Sequence, residues 1–120
     1  MIDDRIENWL LDICDASKDA LSFIEGIALA DFLQDKLIQN AVTMCLIRIG
    51  ETATKLASHA PELTTHFPDI PWNSMKGIRN RIAHGYSDIN FNVVWDTVNQ
   101  DLPELRSNVK RILQGSGFKK

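Results

Sequence analysis

The residue types best suited to chemistry lie together in residues 71–86, a segment that contains no acidic side chain. Within eight residues it holds Arg79, Asn80, Arg81, His84 and Tyr86. A guanidinium donates a planar fork of hydrogen bonds to a phosphate and stays charged at any working pH. An imidazole exchanges protons near neutrality because its unperturbed pKa is about 6.5. Together these groups are suited to moving a proton while a phosphorus centre gains charge.

The spacing of these residues on a helix limits how they can meet. Asn80 and Arg81 precede His84 by four and three residues, so both neighbour it on one face. Arg79 lies five residues before His84, which is about 140° around an ideal helix. To meet His84, the Arg79 side chain must reach around the helix or the last helical turn must distort. Otherwise another chain must complete the site. In the last turn the helix dipole favours protonated His84, which indicates an acid role. The alternative is a solvated helix end with a capping histidine.

Apolar periodicity predicts an all-α, antiparallel bundle of four to five helices. The clearest pattern is a stripe of alternating four- and three-residue spacings near the start of the chain: Ile2, Ile6, Trp9, Ile13, Ala16, Ala20, Phe23 and Ile27. The predicted helices cover about 2–28, 31–58, 71–84, 91–100 and 102–113, and residues 59–70 are predicted to form a loop.

A break is expected between the last two helices. Pro103 in a continuous helix clashes with the carbonyl of Asn99. Asp101 followed by Glu104 is typical of an N-cap with a capping box. We therefore expect a break or a kink at this point, followed by a helix from Leu102 to Leu113.

Length and composition indicate one globular domain, residues 1–114, with a flexible tail over 115–120. The 120 residues are 44% hydrophobic and 24% charged, which argues against disorder. The net charge of −3 lacks the broad basic footprint of strong duplex-DNA binders. No membrane span or secretory signal is expected, so a cytoplasmic location is predicted. Cys14 and Cys45 are predicted to be buried, reduced thiols, and no metal or cofactor is expected.

Several motifs resemble one known family. Arg79-Asn-Arg-Ile-Ala-His84 with Tyr86 resembles the Arg–x4–His–x–Tyr motif of the HepT-like branch of HEPN domains. Ile49-Gly50-Glu51 after Arg48 resembles that family's arginine and Gly-Glu neighbourhood on the second helix. Ile70-Pro71-Trp72 at the start of the motif helix is similar as well, and so is Asp101-Leu-Pro103 with Leu105. The resemblance covers residues 1–114.

The resemblance implies a helical bundle that forms a homodimer and cleaves RNA as a metal-independent endoribonuclease. It further implies the toxin of a toxin–antitoxin pair. The implied partner is a minimal nucleotidyltransferase antitoxin that transfers AMP to the motif tyrosine, here Tyr86. Arg79 and His84 are then the catalytic residues, and Asn80 has a supporting role. Arg81 occupies a variable position and is expected to touch only the substrate backbone.

Two alternatives remain open from the sequence. Glu51 either orients Arg79 or His84, or belongs to a row of ion pairs with Arg48 and Lys55 that solvates the second helix. The function is either catalytic or that of a non-catalytic HEPN module that binds a nucleotide or a partner. The intact Arg79 and His84 favour the enzyme.

Overall fold

The computed structural model describes residues 2–82 and 88–115, except for the side chain of Arg79. These residues are largely helical and include no β-strand, which confirms the predicted all-α bundle. The elements in chain order are α1 (Asp4–Phe23), α2 (Leu29–Phe32), α3 (Lys36–His59), α4 (Pro61–His66), α5 (Trp72–Lys76), α6 (Ile78–Ile82), α7 (Phe91–Asp96), a π-helical turn (Thr97–Asp101) and α8 (Leu102–Gly115).

The long helices α1 and α3 pack against each other in opposite directions. Asp3 caps α1 by accepting a hydrogen bond from the Ile6 amide at 2.8 Å. The other carboxylate oxygen of Asp3 lies 3.2 Å from Nε2 of His59, the last residue of α3. The Ile6 amide and then His59 hold the pKa of Asp3 below its usual value. The start of α1 is therefore fastened to the end of α3.

The core lies between α1, α3 and α8, with α5 and α6 covering α3. Among the best-buried side chains are Leu10 and Ile13 of α1 and Leu46 and Ile49 of α3, each with no exposed surface. Most of the predicted stripe is buried or packed against this core. Cys14 and Cys45 are buried as predicted, and burial raises the pKa of both thiols.

Two helix ends differ from the prediction, because a glycine turn and a helix cap set them rather than the apolar pattern. The helix predicted over 2–28 stops at Phe23, because Gly26 takes a φ of +75° and turns the chain. Phe23 is consequently 41% exposed, contrary to its place in the stripe. Asp35 caps α3, so this helix begins after the predicted residue 31.

The predicted loop over 59–70 contains the short helix α4. Pro61 occupies its first turn, where the missing N–H leaves no hydrogen bond unmade. Leu63 on the same helix is completely buried. Burial of this leucine offsets the weak helical pattern that made the segment look like a loop.

The helix predicted over 71–84 is divided at Gly77. The Gly77 amide donates to the Asn73 carbonyl at 3.0 Å, and its ψ of 5° leaves the helical region. Glycine weakens a helix interior, which explains the separation of α5 from α6. The predicted end of this helix at His84 lies outside the described residues.

Gly50 of α3 allows the helices α5 and α6 to approach closely. A Cβ atom at this position would lie 2.7 Å from Cγ2 of Ile78 and 2.9 Å from the carbonyl oxygen of Met75. Real Cβ atoms essentially never approach other atoms so closely. Glycine is therefore required here so that the backbone of α5 and the start of α6 rest directly on α3.

At the break or kink expected before Pro103 the chain passes through the π-helical turn, and α8 begins at the predicted residue Leu102. The Leu102 amide donates to the carbonyl of Thr97, five residues earlier. This wider turn accommodates Pro103 in the first turn of α8. The predicted cap Asp101 is part of the turn. Before the turn, Trp95 packs against Phe32 of α2 with ring centroids 5.2 Å apart.

Substitution Gly50→Ala tests the close approach of α5 and α6 to α3. Overpacking of a tight contact costs about 1–3 kcal/mol, whereas alanine gains roughly 1 kcal/mol over glycine as a helix former. We expect a net loss of unfolding free energy, measured by urea denaturation. Gly115→Ala in α8 is the control, since nothing lies within 4 Å of its added Cβ. An unchanged or increased stability of Gly50→Ala would contradict the prediction.

Candidate active site

The first half of the predicted motif lies in α6, whose position is set by buried isoleucines. Ile78 and Ile82 are 2% and 1% exposed and occupy one face of the helix. Ile78 contacts α3 at Gly50. The backbone of Arg79 follows directly, and Asn80 is exposed to solvent. The core contact of α6 thus fixes the backbone position at which the motif begins.

His84 and Tyr86 lie outside the described residues, as does the side chain of Arg79. The predicted meeting of Arg79 and His84 therefore stays a prediction. The described residues on either side of this segment are held together, because the Asn90 amide donates to the carbonyl of Ile82 at 2.7 Å. Asn90 also caps α7 through the amides of Asn92 and Val93. The start of α7 is consequently fixed against the end of α6.

Arg81 connects α6 to the π-helical turn. Its Nη2 atom lies 3.6 Å from Oδ2 of Asp101. The two side chains are 38% and 58% exposed, so the pair contributes at most about 1 kcal/mol. The sequence predicted a substrate contact for Arg81 and a helix cap for Asp101. It missed their ion pair, which joins segments that are distant in sequence.

Glu51 lies on α3 beside the contact that carries the motif helix. It is exposed and directly follows Gly50. Among the described side chains it forms no hydrogen bond or ion pair, so the predicted row with Arg48 and Lys55 is not formed there. The role of Glu51 in orienting Arg79 or His84 stays a prediction.

A cavity of about 360 Å³ opens beside the Arg81–Asp101 pair. It lies between α5 and α6 on one side and the π-helical turn and α8 on the other. Apolar side chains form part of its wall: Met75, Ile78, Leu102 and Leu105. We call it the α8 cavity. No sequence pattern predicts this cavity, because its walls come from separate elements.

The match to a known family covers most of the described helices and the whole motif. The family described as "Ribonuclease HepT-like" matches residues 13–112. This chain belongs to the HepT-like ribonuclease family. The predicted family is thereby confirmed, together with its ribonuclease class.

Curated relatives of this HepT-like chain include candidate ribonucleases from archaea and bacteria. One from Methanocaldococcus jannaschii is 30% identical over 105 residues, which cover 88% of this chain and 94% of the relative. One from Caldanaerobacter subterraneus is 32% identical over 91 residues, covering 76% and 79%. A candidate ribonuclease HepT from Thermococcus cleftensis is 32% identical over 106 residues, covering 88% and 94%. No solved structure matches significantly.

Two further observations on the HepT-like chain concern membrane-spanning helices and metal sites. None of the described helices combines the length and apolar character needed to cross a membrane. Over residues 2–82 and 88–115, no three His, Cys, Asp or Glu side chains form a group that could hold a metal ion.

A double-mutant cycle on Arg81→Gln and Asp101→Asn tests the ion pair. We expect a coupling free energy below about 1 kcal/mol that decreases in high salt, because both side chains are substantially exposed. Urea denaturation of the four proteins gives this value. Lys18→Gln on α1 is the control for loss of an exposed cation. A coupling above about 2 kcal/mol, or one insensitive to salt, would show that the pair is a stronger constraint than its exposure implies.

Proposed function

We propose that this HepT-like chain is a metal-independent endoribonuclease in which Arg79 and His84 act on one phosphodiester. The observation that carries the proposal is the family match over residues 13–112, which includes the entire Arg–x4–His–x–Tyr motif. The contact of Ile78 with α3 supports it, because it holds the backbone next to Arg79 in a defined place. Asn80 supports the site from the exposed face of α6.

RNA supplies its own nucleophile, the 2′-hydroxyl, so the reaction needs no metal-bound water. A base takes the hydroxyl proton as the 2′ oxygen attacks phosphorus. The bond from phosphorus to the 5′ oxygen breaks, and an acid gives that oxygen a proton. The products are a 2′,3′-cyclic phosphate and a 5′-hydroxyl end. His84 supplies the proton transfers, and the Arg79 guanidinium stabilises the charge on the phosphorane.

We further propose that two chains build the site as a homodimer. In-line cleavage favours a base and an acid on opposite sides of phosphorus, and the motif contains one histidine. A two-fold axis supplies the second. An exposed apolar surface supports the dimer: Leu37 and Met44 of α3 are 80% and 57% exposed, and their spacing places them on one helix face.

In the cell, we propose that the enzyme is the cytoplasmic toxin of a toxin–antitoxin pair. Its partner is a minimal nucleotidyltransferase. The Tyr86 hydroxyl attacks the α-phosphorus of ATP, pyrophosphate leaves and the hydroxyl proton passes to a base. The resulting phosphodiester places a negative charge two residues from His84, where it competes with the substrate phosphate.

Arg79→Ala and His84→Ala test the catalytic assignment. Each is expected to lower RNA cleavage at least about 100-fold, since a positioned acid or base contributes that much or more. Cleavage by the unmodified protein should persist in EDTA. Lys18→Ala on the exposed face of α1 is the control. Undiminished cleavage by either motif variant would reject the assignment, and a folded dimer without any cleavage would favour a non-catalytic binding module.

The shared site is tested by mixing the two inactive variants. A mixed dimer keeps one Arg79 and one His84 on different chains. Because it retains one of the two histidines that transfer protons, we expect partial recovery of cleavage. Leu37→Glu with Met44→Glu should yield a monomer by analytical ultracentrifugation and lose cleavage. Ser58→Glu, at an exposed polar position of α3, is the control. Full activity in a proven monomer would refute the shared site.

Modification of Tyr86 is tested with ATP and a nucleotidyltransferase encoded beside this protein. Intact mass should increase by one or more AMP groups, and RNA cleavage should fall in parallel. Tyr86→Phe lacks the hydroxyl, so it should stay unmodified and escape inhibition. An adduct mapped to another residue, or none at all, would contradict the proposal.

A further inference from the structure

We propose that the α8 cavity is a nucleobase subsite that takes a guanine from the RNA strand being cleaved. This inference rests on the proposed ribonuclease function and deepens it by naming a determinant of substrate choice. It depends on the volume of the cavity, its apolar wall, its charge and its place beside α6.

The size and wall of the α8 cavity suit a base. Its volume of about 360 Å³ falls within the range of small-molecule pockets. Met75 and Ile78 line one side and Leu102 and Leu105 the other, each at most 4% exposed. Packing of a base against apolar side chains is favourable whatever its identity. Selectivity must therefore come from polar groups at the edge.

The charged groups of the cavity favour hydrogen-bond donors over phosphate. Asp69, Asp101 and Glu104 line it with a single cation, Arg81. Asp101 already lies 3.6 Å from that cation. Within the described part of the chain, Glu104 forms no hydrogen bond or ion pair, so its carboxylate is an available acceptor. An anionic phosphate is repelled by this surplus of carboxylates, whereas an uncharged base with donor groups is attracted.

Guanine matches such an edge better than the other three bases. Its Watson–Crick edge presents an N1–H and an N2 amino group side by side, which suits the two oxygens of one carboxylate. Adenine and cytosine present one amino group beside a ring acceptor, and uracil presents a single N–H between two carbonyls. The guanine O6 acceptor suits the hydroxyl of Ser74 or the guanidinium of Arg81, both of which line the cavity.

The cavity also lies in a suitable place. Arg81 belongs to the helix α6, two residues after Arg79, and it lines the cavity. Two residues of a helix are about 200° apart, so the position of Arg79 faces away from the cavity. The three-residue spacing of Arg81 and His84 predicts that these two share one face. A strand whose phosphate is bound at His84 can thus place an adjoining base between α6 and α8. The two regions differ in charge. Residues 71–86 contain no acid and suit the phosphate, whereas the cavity edge is rich in acids and suits the base.

The first experiment compares cleavage of short RNAs that differ at one base beside the cleaved bond. We expect guanine to be preferred at one fixed position. Inosine lacks only the N2 amino group, so inosine there should lower kcat/KM about tenfold. Glu104→Gln should lower kcat/KM for the guanine RNA about tenfold and thereby reduce the difference between guanine and inosine. Glu62→Gln, an exposed carboxylate on α4 outside the cavity, is the control.

A binding measurement separates this inference from the ribonuclease assignment. The probe is the guanine-containing RNA with a 2′-deoxy nucleotide at the cleaved position, which cannot react. Its Kd should rise about tenfold in Glu104→Gln and on replacement of guanine by inosine. The same outcome without any cleavage of RNA would keep the subsite and reject the nuclease. Cleavage that depends on Arg79 and His84 but is indifferent to guanine, inosine and Glu104 would overturn the subsite alone.

Discussion

The close contact of Gly50 with the Met75 carbonyl and the Ile78 side chain is the constraint on which the candidate site depends. A side chain at Gly50 would occupy space already taken by the Met75 carbonyl and the Ile78 side chain. Because α5 and the start of α6 rest directly on α3, the residues that follow Ile78 emerge at a defined position. Neither α5 nor α6 is long enough to be stable alone, so this tertiary contact supplies the order that their length cannot.

The other supports of α6 act at its far end. The Asn90 amide binds the Ile82 carbonyl, and Arg81 pairs with Asp101 of the π-helical turn. The motif helix is thereby held by α3 beneath it, by the start of α7 and by the turn before α8. These three contacts come from different parts of the chain, and together they fix the position of α6.

The sequence predicted what depends on local periodicity and on a contiguous motif. The stripe through Ile6 and Ile13 predicted α1, and the residues from Arg79 to Tyr86 predicted the family. What it missed depends on contacts between distant segments. Burial of Leu63 stabilises the helix α4 in a segment that the prolines Pro61 and Pro68 made look like a loop, and the α8 cavity needs walls from α5, α6 and α8. The clash of Pro103 predicted an interruption before α8 but not its form, because the rule assumes α-helical geometry on both sides, whereas the wider π-helical turn removes the clash.

The π-helical turn also has a consequence for how the family can diversify. Such a turn is equivalent to one additional residue in an otherwise continuous α-helix, and each residue of an α-helix corresponds to about 100° of rotation. Trp95 before the turn packs against α2, whereas Leu105 after it lines the cavity. Loss or gain of one codon between Thr97 and Asp101 would rotate everything beyond it. Evolution could in this way exchange the side chains offered to a substrate while leaving the cleavage motif untouched.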